Sequence, residues 1–250
     1  FILQLLIKMN RNSFWNKLST SSTFESINSN DIKKTIIFIP SIKEQNKIGN
    51  LLNLTDKLLT LQERKYEELK LLKKALLQNM FPYNENYNPK YRFLRFTKPW
   101  KKKQLGDLMD IGSVKRIHQS DWRSNGVRFL RARDIVANFK NLKPANCLYI
   151  DKKTYDQYTI QSGKVSKGDL LVTGVGTIGI PMLINTDVPL YFKDGNIIWF
   201  KNSNIIDHNF FYYSFISNTI QDFIKKSSGS GTVGTYTISN GRETPILLPS

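Results

Sequence analysis

From Ser41 to Met80 the sequence contains no proline and one glycine, Gly49. That stretch limits the fold more than any other. Ser41-Ile42-Lys43-Glu44, directly after Pro40, has the form of a capping box. The serine can accept from the amide three residues on, and the glutamate can reach back. Apolar positions then recur as a stripe of Leu51, Leu54, Leu58, Leu61, Leu69, Leu72 and Leu76, with Lys65 filling one step. The spacing alternates threes and fours with an extra four near Lys65, a heptad seam with a stutter. Pro82 stops the run. A helix over 41–81 at 1.5 Å per residue reaches roughly 60 Å. That is too long to lie on one small domain, so the stripe calls for a second helix. Length and stutter favour a spacer coiled coil; the alternative is an ordinary core helix. The polar side, with Glu63, Arg64, Glu67, Glu68 and Lys70, suits either.

After the helix the pattern changes. Residues 82–90 form a polar, aromatic linker bracketed by Pro82 and Pro89. Short β-like runs follow at 127–130, 170–173, 182–184, 197–200 and 246–248, separated by Gly, Asn, Asp and Pro. Helical stretches are predicted at 152–158 and 209–226. The mixture argues for an α+β domain with a mixed sheet, joined to the long helix. A faint repeat is also present. Ile27-Asn28-Ser29-Asn30 followed by 35–41 echoes Ile238-Ser239-Asn240 followed by 244–250, if one gap is allowed. Both copies read as a strand followed by Pro-Ser. The chain therefore reads as the tail of one unit (1–40), a helix, and most of a second unit (91–250).

Charge narrows the partners. The 250 residues carry 37 Lys+Arg against 20 Asp+Glu, a net charge of +17. Most of the excess follows Met80, with 24 basic and 13 acidic residues. Such a balance favours polyanions: nucleic acid or an anionic membrane surface. No apolar run reaches the roughly 20 residues of a membrane span, and none is expected to cross or anchor in one. The opening 1–7 is too short and has no basic stretch before it, so it does not read as a signal peptide. A start at Phe1 suggests a fragment or a processed product. A single cysteine, Cys147, excludes an internal disulfide and a cysteine-based zinc site. His118 and His208 lie far apart, and no metal site is expected. The cysteine usage fits a reducing cytoplasm.

Two glycine patterns mimic phosphate loops. Gly174-Val175-Gly176-Thr177-Ile178-Gly179 follows a plausible strand, but Ile180-Pro181-Met182 looks extended where a dinucleotide site needs a helix. It reads as a tight turn between strands. The second, 229–234, has Thr235 where a phosphate loop needs lysine and reads as a loop. The cations are more informative. Between Glu85 and Asp107 no acidic residue interrupts Lys90, Arg92, Arg95, Lys98, Lys101, Lys102 and Lys103, interleaved with Tyr91, Phe93, Phe96 and Trp100. Such a run either contacts phosphates or forms a solvated face over packed aromatics. Lys115, Arg116, Arg128, Arg131, Arg133, Lys225 and Lys226 add candidates. Strand alternation would place Arg131 and Arg133 on one side, able to read guanine, unless Asp134 pairs with one of them. No catalytic motif is found: no GxSxG elbow, no carboxylate cluster, no nuclease triad and no Asn-Pro-Pro-aromatic motif.

These residues resemble a known family. Pro40 with Glu44-Gln45 and Ile48, running to Leu72-Lys73-Lys74-Ala75-Leu76-Leu77-Gln78-Asn79-Met80-Phe81, is similar to the helix of type I restriction-modification specificity subunits. Residues 122–135, the glycine turn 168–179 and the exit run 236–249 resemble a target-recognition domain of that family. The resemblance implies two recognition domains held apart by antiparallel helices, each reading half of a split double-stranded DNA target. Residues 1–40 would then end a first such domain and 91–250 form the second, with a further helix expected after Ser250. It implies that the leucine stripe packs against the partner helix, and that the helices dock modification (methyltransferase) subunits and, through them, the restriction subunit. S-adenosylmethionine would belong to the modification subunits, with no cofactor and no catalysis in this chain. Thr177 of the glycine turn joins the DNA-binding candidates. The alternatives are a non-catalytic coiled-coil scaffold with only non-specific DNA affinity, and a metal-dependent nuclease, for which no ligand set is found.

Overall fold

The computed structural model describes residues 2–18, 27–83, 87–229 and 234–250. The chain divides into two compact units, residues 1–72 and 73–250. The first contains α1 (Ile2–Arg11), α2 (Phe14–Leu18), α3 (Ser29–Lys34) and most of α4 (Ile42–Met80), whose last turns belong to the second.

Helix α4 is unbroken over 39 residues. Ser41 Oγ accepts from the Glu44 amide at 3.4 Å, as the capping box requires. The return bond differs from expectation: the Gln45 side-chain amide donates to the Pro40 carbonyl at 2.7 Å. Along its length Arg64–Glu68 and Lys70–Glu67 pair at 2.8 and 3.0 Å, solvent-exposed pairs at helical spacing. No residue of α4 is buried. The seven leucines of the stripe remain 40–65 % exposed, so the described residues supply no partner helix.

The second unit is a mixed α+β domain built on three small sheets. One pairs β1 (Lys101–Gln104) antiparallel with β9 (Pro245–Leu248). The second runs β2 (Asp110–Gly112), β8 (Ile197–Lys201), β5 (Leu170–Thr173), β6 (Pro181–Leu183), all antiparallel. The third runs β4 (Leu148–Ile150), β3 (Val127–Leu130), β7 (Leu190–Phe192), with β3 and β7 parallel. Helices α5 (Ala132–Phe139), α6 (Lys152–Ser162), α7 (His208–Phe215), α8 (Asn218–Ser227) and α9 (Ile238–Glu243) complete it. The expected single helix over 209–226 is two helices. Asp207 caps the first through the Phe210 amide at 2.8 Å, and the chain turns at Ile216 and Ser217.

Two apolar cores form because β5 and β8 are buried on both faces. Leu170, Val172, Ile198 and Phe200 enter one core with Phe211, Phe215, Ile220 and Ile224. Leu171, Ile197 and Trp199 enter the other with Phe129, Ile135, Tyr191 and Phe192. The two-residue period of a strand sends neighbours to opposite sides, so a continuous apolar run feeds both. Asp169, directly before β5, is buried, its carboxylate accepting from Trp199 Nε1 at 2.8 Å and from the amides of Ser166 and Asn202. Burial holds its carboxyl above the usual range despite those donors.

The repeat is real in local geometry and needs no gap. Asn28 caps α3 and Thr237 caps α9, each within a reciprocal capping box. Thr35 and Thr244 close the two helices, donating Oγ1 to the Asp31 carbonyl at 2.9 Å and the Asn240 carbonyl at 2.7 Å. Pro40 then corresponds to Pro249. The expectation that both copies continue as strands fails for the first. Residues 245–248 pair with β1, whereas residues 35–39 find no strand partner among the described residues.

Candidate nucleic-acid interface

The glycine turn links β5 to β6 with no helix after it, as its extended exit required. Gly174 lies so close to Tyr236 that an added Cβ would stand 2.6 Å from that carbonyl. Gly179, at φ +75°, takes a backbone conformation that side chains disfavour. The turn is braced inside: the Thr173 hydroxyl donates to the Thr177 carbonyl and accepts from the Ile180 amide. Thr177 itself stands exposed. Gln221 of α8 donates to the Gly179 carbonyl at 3.1 Å, which ties this turn to the helix bearing Lys225 and Lys226. Both lysines are exposed, and Lys225 lies 3.8 Å from Asp222. Of the second glycine pattern, residues 230–233 lie outside the described residues.

Lys101, Lys102 and Lys103 form most of β1, all exposed. Lysines on an edge strand also discourage edge-to-edge pairing, so this placement is open to a structural account as well.

The arginines differ from their expected placement. Strand β3 ends at Leu130, Arg131 caps α5, and Arg133 lies inside that helix. The cause is Asp134, whose carboxylate accepts from the Arg131 amide at 2.9 Å and starts the helix. Asp134 is buried and pairs with Arg131 at 3.3 Å and Arg128 at 3.7 Å. Arg131 also donates to the Asn146 carbonyl, and Arg128 to the carbonyls of Phe129 and Leu148. Both guanidinium groups thus face internal acceptors, with Arg128 Nη2 buried and making no hydrogen bond among the described residues. Arg133 is exposed and has no ion-pair partner among the described residues.

Lys115 and Arg116 lie elsewhere in the domain. The Lys115 ammonium sits 4.3 Å from the Tyr158 ring centroid. Arg116 pairs with Asp194 at 2.8 Å and stays 71 % exposed. Arg116 borders a cleft of about 420 Å³ beside the β7–β8 turn, Lys193 to Asn196. His118, Gln119, Trp122, Lys193 and Asn196 share its wall. Sequence reasoning did not single out these five as a group, although Asp194-Gly195 carries a turn signal. A second cleft, of about 450 Å³, shares Gly195 and is bordered by Ser113, Gly174 and Thr235. Among the described residues no group of His, Cys, Asp and Glu could hold a metal ion, and no helix is long and apolar enough to cross a membrane.

Known proteins give this geometry a family. Residues 97–250 match the family described as "Type I restriction modification DNA specificity domain". The type I restriction enzyme MjaVIII specificity subunit of Methanocaldococcus jannaschii is 25 % identical over 84 % of this chain and 49 % of its own length. The crystal structure of the HsdS subunit from Thermoanaerobacter tengcongensis shares the fold with a TM-score of 0.52 at 15 % identity, over 92 % of this chain and 52 % of that one. A chain from a study of complex assembly and conformational transition of the type I R-M system also gives 0.52, at 17 % identity, over 95 % and 56 %. The chain spans half or less of the length of the curated relatives it matches. A family match covering well over half of these residues, on a fold shared with solved specificity subunits, leads to one conclusion: this chain belongs to the type I restriction-modification specificity subunit family.

Proposed function

We propose that the chain is a sequence-specific DNA-binding element of a type I restriction-modification complex. Its domain reads one half of a bipartite target, and its long helix docks the modification subunits. One observation carries the reading: a domain of the specificity family, holding most of the +17 charge, continues from an unbroken helix whose leucine stripe is uncovered. Cations neutralise phosphates and set the salt dependence, while polar side chains select sequence. Exposed Lys101, Lys102, Lys103, Lys115, Arg133, Lys225 and Lys226 suit the first task. The chain does no bond-breaking. S-adenosylmethionine binds the modification subunit, cleavage belongs to the restriction subunit, and the complex works in the cytoplasm. The organisation proposed is the end of a first recognition domain in 1–40, the spacer helix in 41–81, a linker in 82–90, and the second recognition domain in 91–250.

The uncovered stripe on its own would also serve a scaffold with only non-specific DNA affinity. Titration of labelled duplexes across a salt series separates the two readings. Recognition requires a preferred half-site together with a log–log salt slope of about −0.9 per phosphate contacted. Equal affinity for all duplexes leaves the scaffold; no binding in dilute buffer, or unaided hydrolysis, overturns the proposal. Methylation sequencing of the host genome with and without the full gene identifies the target.

A further inference from the structure

We infer that the cleft beside the β7–β8 turn is where this domain reads base edges, with Gln119 and Asn196 as the selecting side chains. This rests on the DNA-recognition reading and adds the residues that discriminate sequence. The first support is which polar groups are unspent. Arg128 and Arg131, the arginines best suited by type to read guanine, are tied to Asp134 and to backbone carbonyls. In the cleft the side-chain amides of Gln119 and Asn196 have no hydrogen-bond partner among the described residues, and neither residue is buried. A side-chain amide offers one acceptor and one donor group in a plane, matching the N6 donor and N7 acceptor of adenine.

The second support is the charge around those amides. Arg116 and Lys193 border the same cleft, and His118 stands exposed beside Gln119. The ion pair to Asp194 orients Arg116 at the rim while leaving it mostly exposed. Cations at the rim hold phosphates, and neutral amides between them meet base edges, which is the division of labour in specific DNA contacts. The third is access. Gly195, at the crest of the turn between the two clefts, has nothing within 4 Å of where a Cβ would stand. The crest is therefore open to an approaching groove.

The test is selection of bound duplexes from a randomised pool with the full chain. Its arms are the wild type, the double variant Gln119→Ala with Asn196→Ala, and Gln119→Glu. The double variant should keep its affinity for random duplex within about threefold and lose about ten- to a hundredfold of its preference for the selected sequence. Gln119→Glu, an acceptor only, should move one position from adenine towards cytosine, whose N4 donates. Thermal melts matching wild type certify the fold of each variant. An unchanged preference in both variants overturns the inference and leaves sequence recognition standing. A wild type that binds but selects no sequence overturns both.

Discussion

Residues 28–41 and 237–250 are one local design in two settings. Each begins with a capped short helix, closes it with a back-bonded threonine, and runs through apolar residues to Pro-Ser. In the second setting Ile246 and Leu247 are 1 % and 7 % exposed, the apolar run paired with β1. In the first, the matching Ile37 and Phe38 are 37 % and 90 % exposed and the run is unpaired among the described residues. The caps are written into a few neighbouring residues and form in both places. The strand is not local: it exists only where another strand meets it. The same contrast divides the leucine stripe of α4, uncovered among the described residues, from β5 and β8, buried on both faces.

That contrast can be broken by substitution. The largest effect is expected in assembly. Leu58→Asp with Leu69→Asp should abolish co-purification with the modification subunits while leaving the urea midpoint of the chain unchanged. Intact assembly would remove the stripe from docking. Next, Leu247→Ala should destabilise the domain by about 3 kcal/mol in urea unfolding, whereas Phe38→Ala, at the matching place, should change stability by less than about 0.5 kcal/mol. Comparable losses would mean that the first copy is packed as well. Thr244→Val removes a buried hydroxyl bonded to Asn240 and Tyr236 and should cost about 1–2 kcal/mol. Thr35→Val should cost only a few tenths. Thr237→Ala should cost about 1 kcal/mol through its cap, read in the same unfolding curves.

The smallest effect depends on pH. Burial pushes the Tyr236 phenol well above its ordinary range. The unfolded phenol ionises near pH 10, so above that the unfolded chain holds fewer protons than the folded one. The contribution of this tyrosine is therefore complete below pH 10 and declines as pH rises beyond it. Urea midpoints should fall between pH 9 and pH 10.5, and less so in Tyr236→Phe. The first copy carries Ile27 at the matching place and has no such group.

The same distinction decides what was legible in the sequence. Helix α4 follows from propensity and period, and β3, β5, β6, β8 and β9 from apolar runs. β1 is four exposed polar residues, a strand only because β9 pairs with it. β2, β4 and β7 have three residues each, too few to show a period. Charge pointed to the cations but not to their fates. Arg128 is bonded to a carbonyl twenty residues away, and the Asp134 cap turned an expected strand into a helix. The cleft at the β7–β8 turn gathers residues from 116–122 and 193–196, a proximity created by tertiary structure alone.

The unpaired run Thr35-Ile36-Ile37-Phe38-Ile39 has a consequence for anyone who makes the chain. Five uncharged residues, rich in β-branched and aromatic side chains, are the composition that stacks into fibrils when left uncovered. Lys33 and Lys34 precede it and Pro40 follows, in the positions of gatekeepers. Two ammonium groups and one imino acid flank this pentapeptide against self-stacking, so replacing Lys34 and Pro40 together should turn a clear solution cloudy.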